Sequence, residues 1–136
     1  MDVAISPDGQ LLATADGDDT RVTRPGRVTL WYAQTGELRF ELTPPEQAAT
    51  AVAFSPDGSL LAATSYDEKV YLYHTATGKP TGFFGKHARP TTDVVFLPTG
   101  GLVASGSGGR AVGKNEVKIW NAADGAPLSQ VNTPAA

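Results

Sequence analysis

The chain has 136 residues, a formal net charge of −3 and no cysteine. That length allows one domain. The missing cysteines exclude disulfides, thiolate metal sites and a cysteine nucleophile, and the absence of any basic run argues against nucleic acid or an anionic membrane as partner.

The N-terminal "MDVAISPDG" has no basic segment followed by an apolar core, so no signal peptide is visible. This leans towards the cytoplasm without fixing a compartment. No apolar stretch approaches the roughly 18 residues of a membrane span. Fifteen glycines and ten prolines, with few helix-length patterns, point to an all-β fold rich in turns.

In chain order, the first recognisable element is the turn Ser6-Pro7-Asp8-Gly9. Pro presets the φ of a turn's second position, Asp bonds the local backbone, and Gly takes the positive φ that closes the loop. Ser55-Pro56-Asp57-Gly58 repeats it, and Leu97-Pro98-Thr99-Gly100 is a decayed copy. An apolar run precedes each turn ("DVAI", "AVAF", "DVVF") and another follows it ("LLATA", "LLAAT", "LVASG"), the pattern of a β-hairpin.

Each unit then carries an aromatic, at Trp31, Tyr73 and Trp120, and a second turn, "TGEL", "TGKP" or "DGAP". Turn spacing is 49 and then 42 residues, and aromatic spacing 42 and then 47. The chain therefore reads as one repeat domain, 1–136, with units at about 1–48, 49–90 and 91–136.

Four strands are expected per unit. Strand a covers 3–5, 51–54 and 93–96, and strand b 11–15, 60–64 and 102–105. Strand c covers 27–32, 69–73 and 116–120, and strand d 37–42, 80–84 and 127–131. The d strands are the thinnest, because Pro80 and Gly82 disfavour pairing. Strand a is apolar at consecutive positions, which predicts burial on both faces. Short strands in fours, repeating at this period, match propeller blades.

The segments "VAFSPDGSLLAATS", "VKIWNAADGAPL" and "FFGKHARPTTDVVF" resemble the blades of the WD-repeat β-propeller family. The Trp-Asp dipeptide itself is absent: its positions hold Trp31-Tyr32, Tyr73-His74 and Trp120-Asn121. The resemblance implies three four-stranded antiparallel sheets forming an incomplete ring, since propellers close with roughly 4–8 blades. Each terminal blade would expose an apolar face. The expected partner is therefore the chain itself, as a homodimer of six blades or a homotrimer of nine, or the rest of a longer propeller.

The resemblance also implies a structural role for His87, bonded to a strand-b hydroxyl (Ser105 or Ser107) and to the strand-c Trp120. The position of the customary turn aspartate falls in "GSGGR", which has none. Trp31 and Tyr73 are the matching structural aromatics.

The units differ most between strands b and c. From turn proline to aromatic is 24, 17 and 22 residues, so long loops fall at 16–26 and 106–115. In this family's topology they share a face with the connections at 43–50 and 85–91. Such insertions often mark a binding face. The candidate contact residues are Asp16, Asp18, Asp19, Arg21, Arg24, Asp67, Glu68, Arg89, Arg110 and Lys114. Mixed Arg and Asp suit a protein or peptide ligand.

"DGDD" lacks the glycine and glutamate of a calcium loop. "GSGGRAVGK" opens a strand rather than the helix of a phosphate loop. No nucleophile elbow occurs. No catalytic residue, metal or cofactor is assigned. The function expected is a non-catalytic interaction scaffold. The alternatives are a piece of a longer propeller, or a propeller enzyme or metal-binding module using the acidic loops.

Overall fold

The two Ser-Pro-Asp-Gly turns are built alike, and they set the spacing of everything else. Ser6 Oγ donates to Asp8 Oδ1 at 2.7 Å while accepting the Leu11 N–H at 2.9 Å. Ser55 Oγ does the same with Asp57 Oδ1 and the Leu60 N–H at 2.7 and 3.0 Å. Gly9 and Gly58 take φ of 74° and 75°, the left-handed conformation the turn requires. Hydrogen bonds from Ser59 and Ser55 lower the Asp57 pKa to about 2, and the Ser6 hydroxyl likewise lowers that of Asp8.

The computed structural model describes residues 2–17, 24–42, 44–98, 101–108 and 115–133, with side chains for all of these except 82–85 and 131–133. Twelve strands run through them. The first four are β1 (Asp2–Ile5), β2 (Leu11–Asp16), β3 (Arg27–Tyr32) and β4 (Leu38–Glu41). The next four are β5 (Ala49–Phe54), β6 (Leu60–Ser65), β7 (Lys69–His74) and β8 (Pro80–Lys86). The last four are β9 (Thr91–Phe96), β10 (Leu102–Ser107), β11 (Asn115–Asn121) and β12 (Pro127–Thr133).

They form three separate four-stranded antiparallel meanders, with no helix among the described residues. All twelve lie where the sequence predicts them, with ends moved by a few residues. β8 pairs with β7 despite Pro80 and Gly82, at the cost of register shifts.

Register gives every sheet two chemically distinct faces. One face carries a row centred on an alanine, with two small residues and one larger in the first two sheets: Ala4–Ala13–Leu30 and Ala53–Ala62–Leu72. The third sheet has Val95–Ala104–Ile119 on this face. We call it the forward face. The rear face carries bulky rows ending in the aromatic: Ile5–Leu12–Trp31, Phe54–Leu61–Tyr73 and Phe96–Val103–Trp120.

Small residues on one face leave room for large ones on the next. The first core cluster joins the forward Ala13, Ala15, Val28 and Leu30 to the rear Val52, Leu61, Ala63 and Tyr73. The second joins the forward Ala51, Ala62, Val70 and Leu72 to the rear Val94, Val103 and Trp120. β5 packs on β1 and β2, and β9 on β5 and β6, so the sheets meet along their first strands.

The predicted two-sided burial of strand a holds only in the middle sheet. Val3 and Ile5 are 58% and 64% exposed, and Val95 is 54% exposed. Among the described residues nothing lies against the rear face of the first sheet or the forward face of the third.

Candidate functional site

Hydrogen bonds between loops divide the molecule into two ends. At one end the β3–β4, β7–β8 and β11–β12 turns bond the preceding hairpin turns: Ala33 N–H to Gln10 O, Thr75 N–H to Ser59 O and Ala122 N–H to Gly101 O, all at 2.9–3.0 Å. At the other end the β2–β3 and β6–β7 loops bond the connections between sheets. Gly26 donates to Gln47 O, Tyr66 to Ala48 O and His87 to Glu68 O, at 2.9–3.0 Å. The b–c loops and the inter-sheet connections therefore share this end. It carries an open hollow of about 540 Å³ lined by Pro25, Gly26, Arg27, Glu41, Leu42 and Pro44.

The predicted contact residues fare differently here. Arg24 is exposed, and Asp16 is half-buried at the end of β2, opposite Arg27. Arg89 is half-buried. Asp18, Asp19, Arg21, Arg110 and Lys114 lie outside the described residues.

Asp67 turns inward, contrary to its expected place among the binding loops. It is 8% exposed. Its Oδ1 accepts the Lys69 N–H at 3.0 Å, and its Oδ2 accepts the Glu46 N–H at 3.1 Å and the Tyr71 hydroxyl. This carboxylate ties a b–c turn to the connection beside it. Burial, and then Asp67, push the Tyr71 hydroxyl pKa well above its ordinary value. Glu68 adopts a φ of 72°, unusual for a residue with a side chain. The tight turn between β6 and β7 imposes it, and the Glu68 carbonyl receives the His87 N–H. Both residues serve the turn.

His87 stands in a buried chain of side chains and is itself 2% exposed. The Trp120 Nε1–H lies 2.9 Å from Ser105 Oγ, Ser105 Oγ lies 2.7 Å from His87 Nε2, and His87 Nδ1 lies 3.0 Å from Glu116 Oε2. With His87 neutral, the chemistry of the two ends fixes the direction of every bond. Indole only donates and carboxylate only accepts. Ser105 therefore accepts from Trp120 and donates to His87 Nε2, and neutral His87 donates from Nδ1 to Glu116.

Ser105, and not Ser107, is the strand-b partner. The carboxylate missing from "GSGGR" comes instead from Glu116 on β11, a residue the sequence reading did not single out. The available signal was its position: Glu116 pairs with Ser107 across the β10–β11 ladder, at the end of the sheet where His87 lies. Burial lowers the His87 pKa, and the nearby Lys118 adds to this against the opposing pull of Glu116.

In the first sheet Trp31 Nε1 donates to Thr14 Oγ1 at 3.0 Å, the counterpart of Trp120 and Ser105. In the second, Tyr73 is fully buried and the matching position is Ala63. There Thr91 takes over the cross-linking: its hydroxyl donates to Ser65 O and accepts the Ser65 N–H at 2.7 and 3.0 Å. These arrangements hold sheets together. Among the described residues no group of three or more His, Asp or Glu side chains converges as a metal site would require.

Comparison with known proteins matches this chain to the model of the WD domain, G-beta repeat, over residues 1–23, 36–74 and 78–121. An uncharacterized WD repeat-containing protein of Synechocystis sp. is 34% identical over 80% of this chain and 29% of its own length. A poly(A)+ RNA export protein of Schizosaccharomyces pombe is 40% identical over 54% of this chain and 22% of its own. COMPASS component SWD3 of Saccharomyces cerevisiae is 28% identical over 94% of this chain and 36% of its own. The chain thus spans well under half the length of these relatives.

Proposed function

The chain belongs to the WD-repeat family, whose members are in general non-enzymatic scaffolds for protein interaction, and from that premise we propose that it binds a protein or peptide on the end formed by the b–c loops and the inter-sheet connections. Its three-blade units assemble with one another into a closed ring that presents this end. The observation that carries the reading is the asymmetry between the ends. One consists of short turns fixed by repeated backbone bonds. The other combines longer loops with the hollow beside Gly26 and the exposed Arg24 and Arg27. Loops on a rigid β-scaffold are where recognition usually resides.

A peptide array probed with the purified chain tests this. Peptides selected from it should lose roughly tenfold or more in affinity to the Arg24→Glu, Arg27→Glu double variant, equivalent to about 1.4 kcal/mol. They should keep their affinity for the Gln34→Glu, Thr77→Glu double variant, altered at the other end. The reverse pattern would place binding on the wrong end.

A further inference from the structure

The two uncovered sheet faces are complementary, and one hydrogen bond in the molecule shows how they fit. Between the first and second sheets, Asp2 Oδ2 accepts the backbone N–H of Val52 at 3.0 Å. Asp2 opens β1 four residues before the hairpin-turn Ser6, and Val52 lies three residues before Ser55. The carboxylate thus reaches from the forward side of one first strand to the backbone of the next sheet's first strand.

The second sheet has Ala51 at the position of Asp2, and there Thr50 makes the link instead, donating from Oγ1 to Thr91 O at 2.7 Å. The third sheet again has an aspartate. Asp93 lies four residues before Leu97, the residue aligned with Ser6. It is exposed on the uncovered forward face, where among the described residues Oδ1 accepts just the adjacent Val94 N–H at 2.9 Å. Beside it Val95, Ala104, Gly106 and Val117 shape a shallow hollow of about 170 Å³.

The surface this face fits is the rear face of a first sheet. By position, the counterpart of Val52 is Val3: "VAFSPDG" after residue 51 matches "VAISPDG" after residue 2. Val3 and Ile5 occupy the places that Val52 and Phe54 occupy in the covered first interface, yet they are more than half exposed. The forward row Val95–Ala104–Ile119 keeps the central alanine and the larger β11 residue of the covered rows, with Val95 in place of their first alanine.

We propose that the third sheet of one copy packs on the first sheet of a second copy, with the Asp93 carboxylate accepting the Val3 N–H across the contact. This deepens the assembly reading above and rests on it. The occupant is a second copy because the contact continues, in the same orientation, the two interfaces within the chain. Such a contact is head-to-tail, and it closes when the rotation per copy divides a full turn.

These 136 residues contain no cysteine, so single cysteines report the contact cleanly. A Val3→Cys copy mixed with a Val95→Cys copy should form disulfide-linked pairs under mild oxidation much faster than either variant alone. Asp93→Ala should weaken association roughly tenfold or more, the loss expected for a hydrogen bond to a charged acceptor. Asp57→Ala alters an aspartate in a hairpin turn away from the contact and should leave association unchanged, which controls for simple loss of folding. Cross-linking of Val3→Cys or Val95→Cys to itself as fast as in the mixture, in a wild type that does associate, would overturn this geometry while leaving assembly standing. A wild type that stays monomeric at about 100 µM would overturn both, whether the faces are then covered by further blades or by another protein.

Discussion

The most informative residue is Ser105, because its own proton has an acceptor within the set only while His87 is neutral. A protonated His87 donates from both ring nitrogens. Ser105 Oγ would then accept from Trp120 and from His87, and its own proton would lose its acceptor in the set. Burial already favours the neutral ring. The folded-state pKa lies below the unfolded value of about 6.5. The sign follows: the contribution of His87 is fully present above pH about 6.5 and is lost as pH falls through the lower folded value. Denaturant midpoints measured from pH 7.5 to 5 should therefore decline, and a His87→Gln variant should flatten the decline. Ser105→Ala strands both the indole N–H and the imidazole, for a loss of about 2–4 kcal/mol in urea unfolding.

At the scale of the element, backbone geometry supplies the sharpest tests. Glu68 holds a φ of 72° in the β6–β7 turn, where a side chain costs energy that glycine does not. Glu68→Gly should stabilise the fold by about 0.5–1 kcal/mol, visible as a higher denaturation midpoint. Gly26 is the opposite case: a Cβ there would fall within 3 Å of the Asp16 carbonyl and the Ala49 amide. Gly26→Ala should destabilise by roughly 1–3 kcal/mol and loosen the loop end, which amide exchange at Ala48 and Ala49 would report.

The strands were legible in the sequence because turn chemistry and apolar runs are local signals, and all twelve lie near their predicted places. The site was legible only in part. His87, Ser105 and Trp120 come from three different strands or connections, and their expected roles came from the family resemblance rather than from the residues themselves. Glu116 had no such guide, because its part depends on cross-strand register rather than on sequence neighbours. The burial of Asp67 was hidden for the same reason: an acidic residue in a turn looks solvated until the chain folds the neighbouring connection, with its Glu46 N–H, over it. Arg24 lies on the expected end, but exposure there was a matter of topology, which the family resemblance supplied and charge alone did not.

At the scale of the whole molecule, three like sheets are stacked so that each forward face covers the next rear face, twice. The third repetition is left open at both ends, with apolar side chains such as Val3, Ile5 and Val95 in water. Exposed sheet faces of this kind are association sites. The most direct test of this account is the solution mass of the chain, by light scattering after size exclusion, over a hundredfold range of concentration. The account predicts one sharp species at two or three times 14.2 kDa that dissociates in the Asp93→Ala variant. A monomer throughout that range would contradict it.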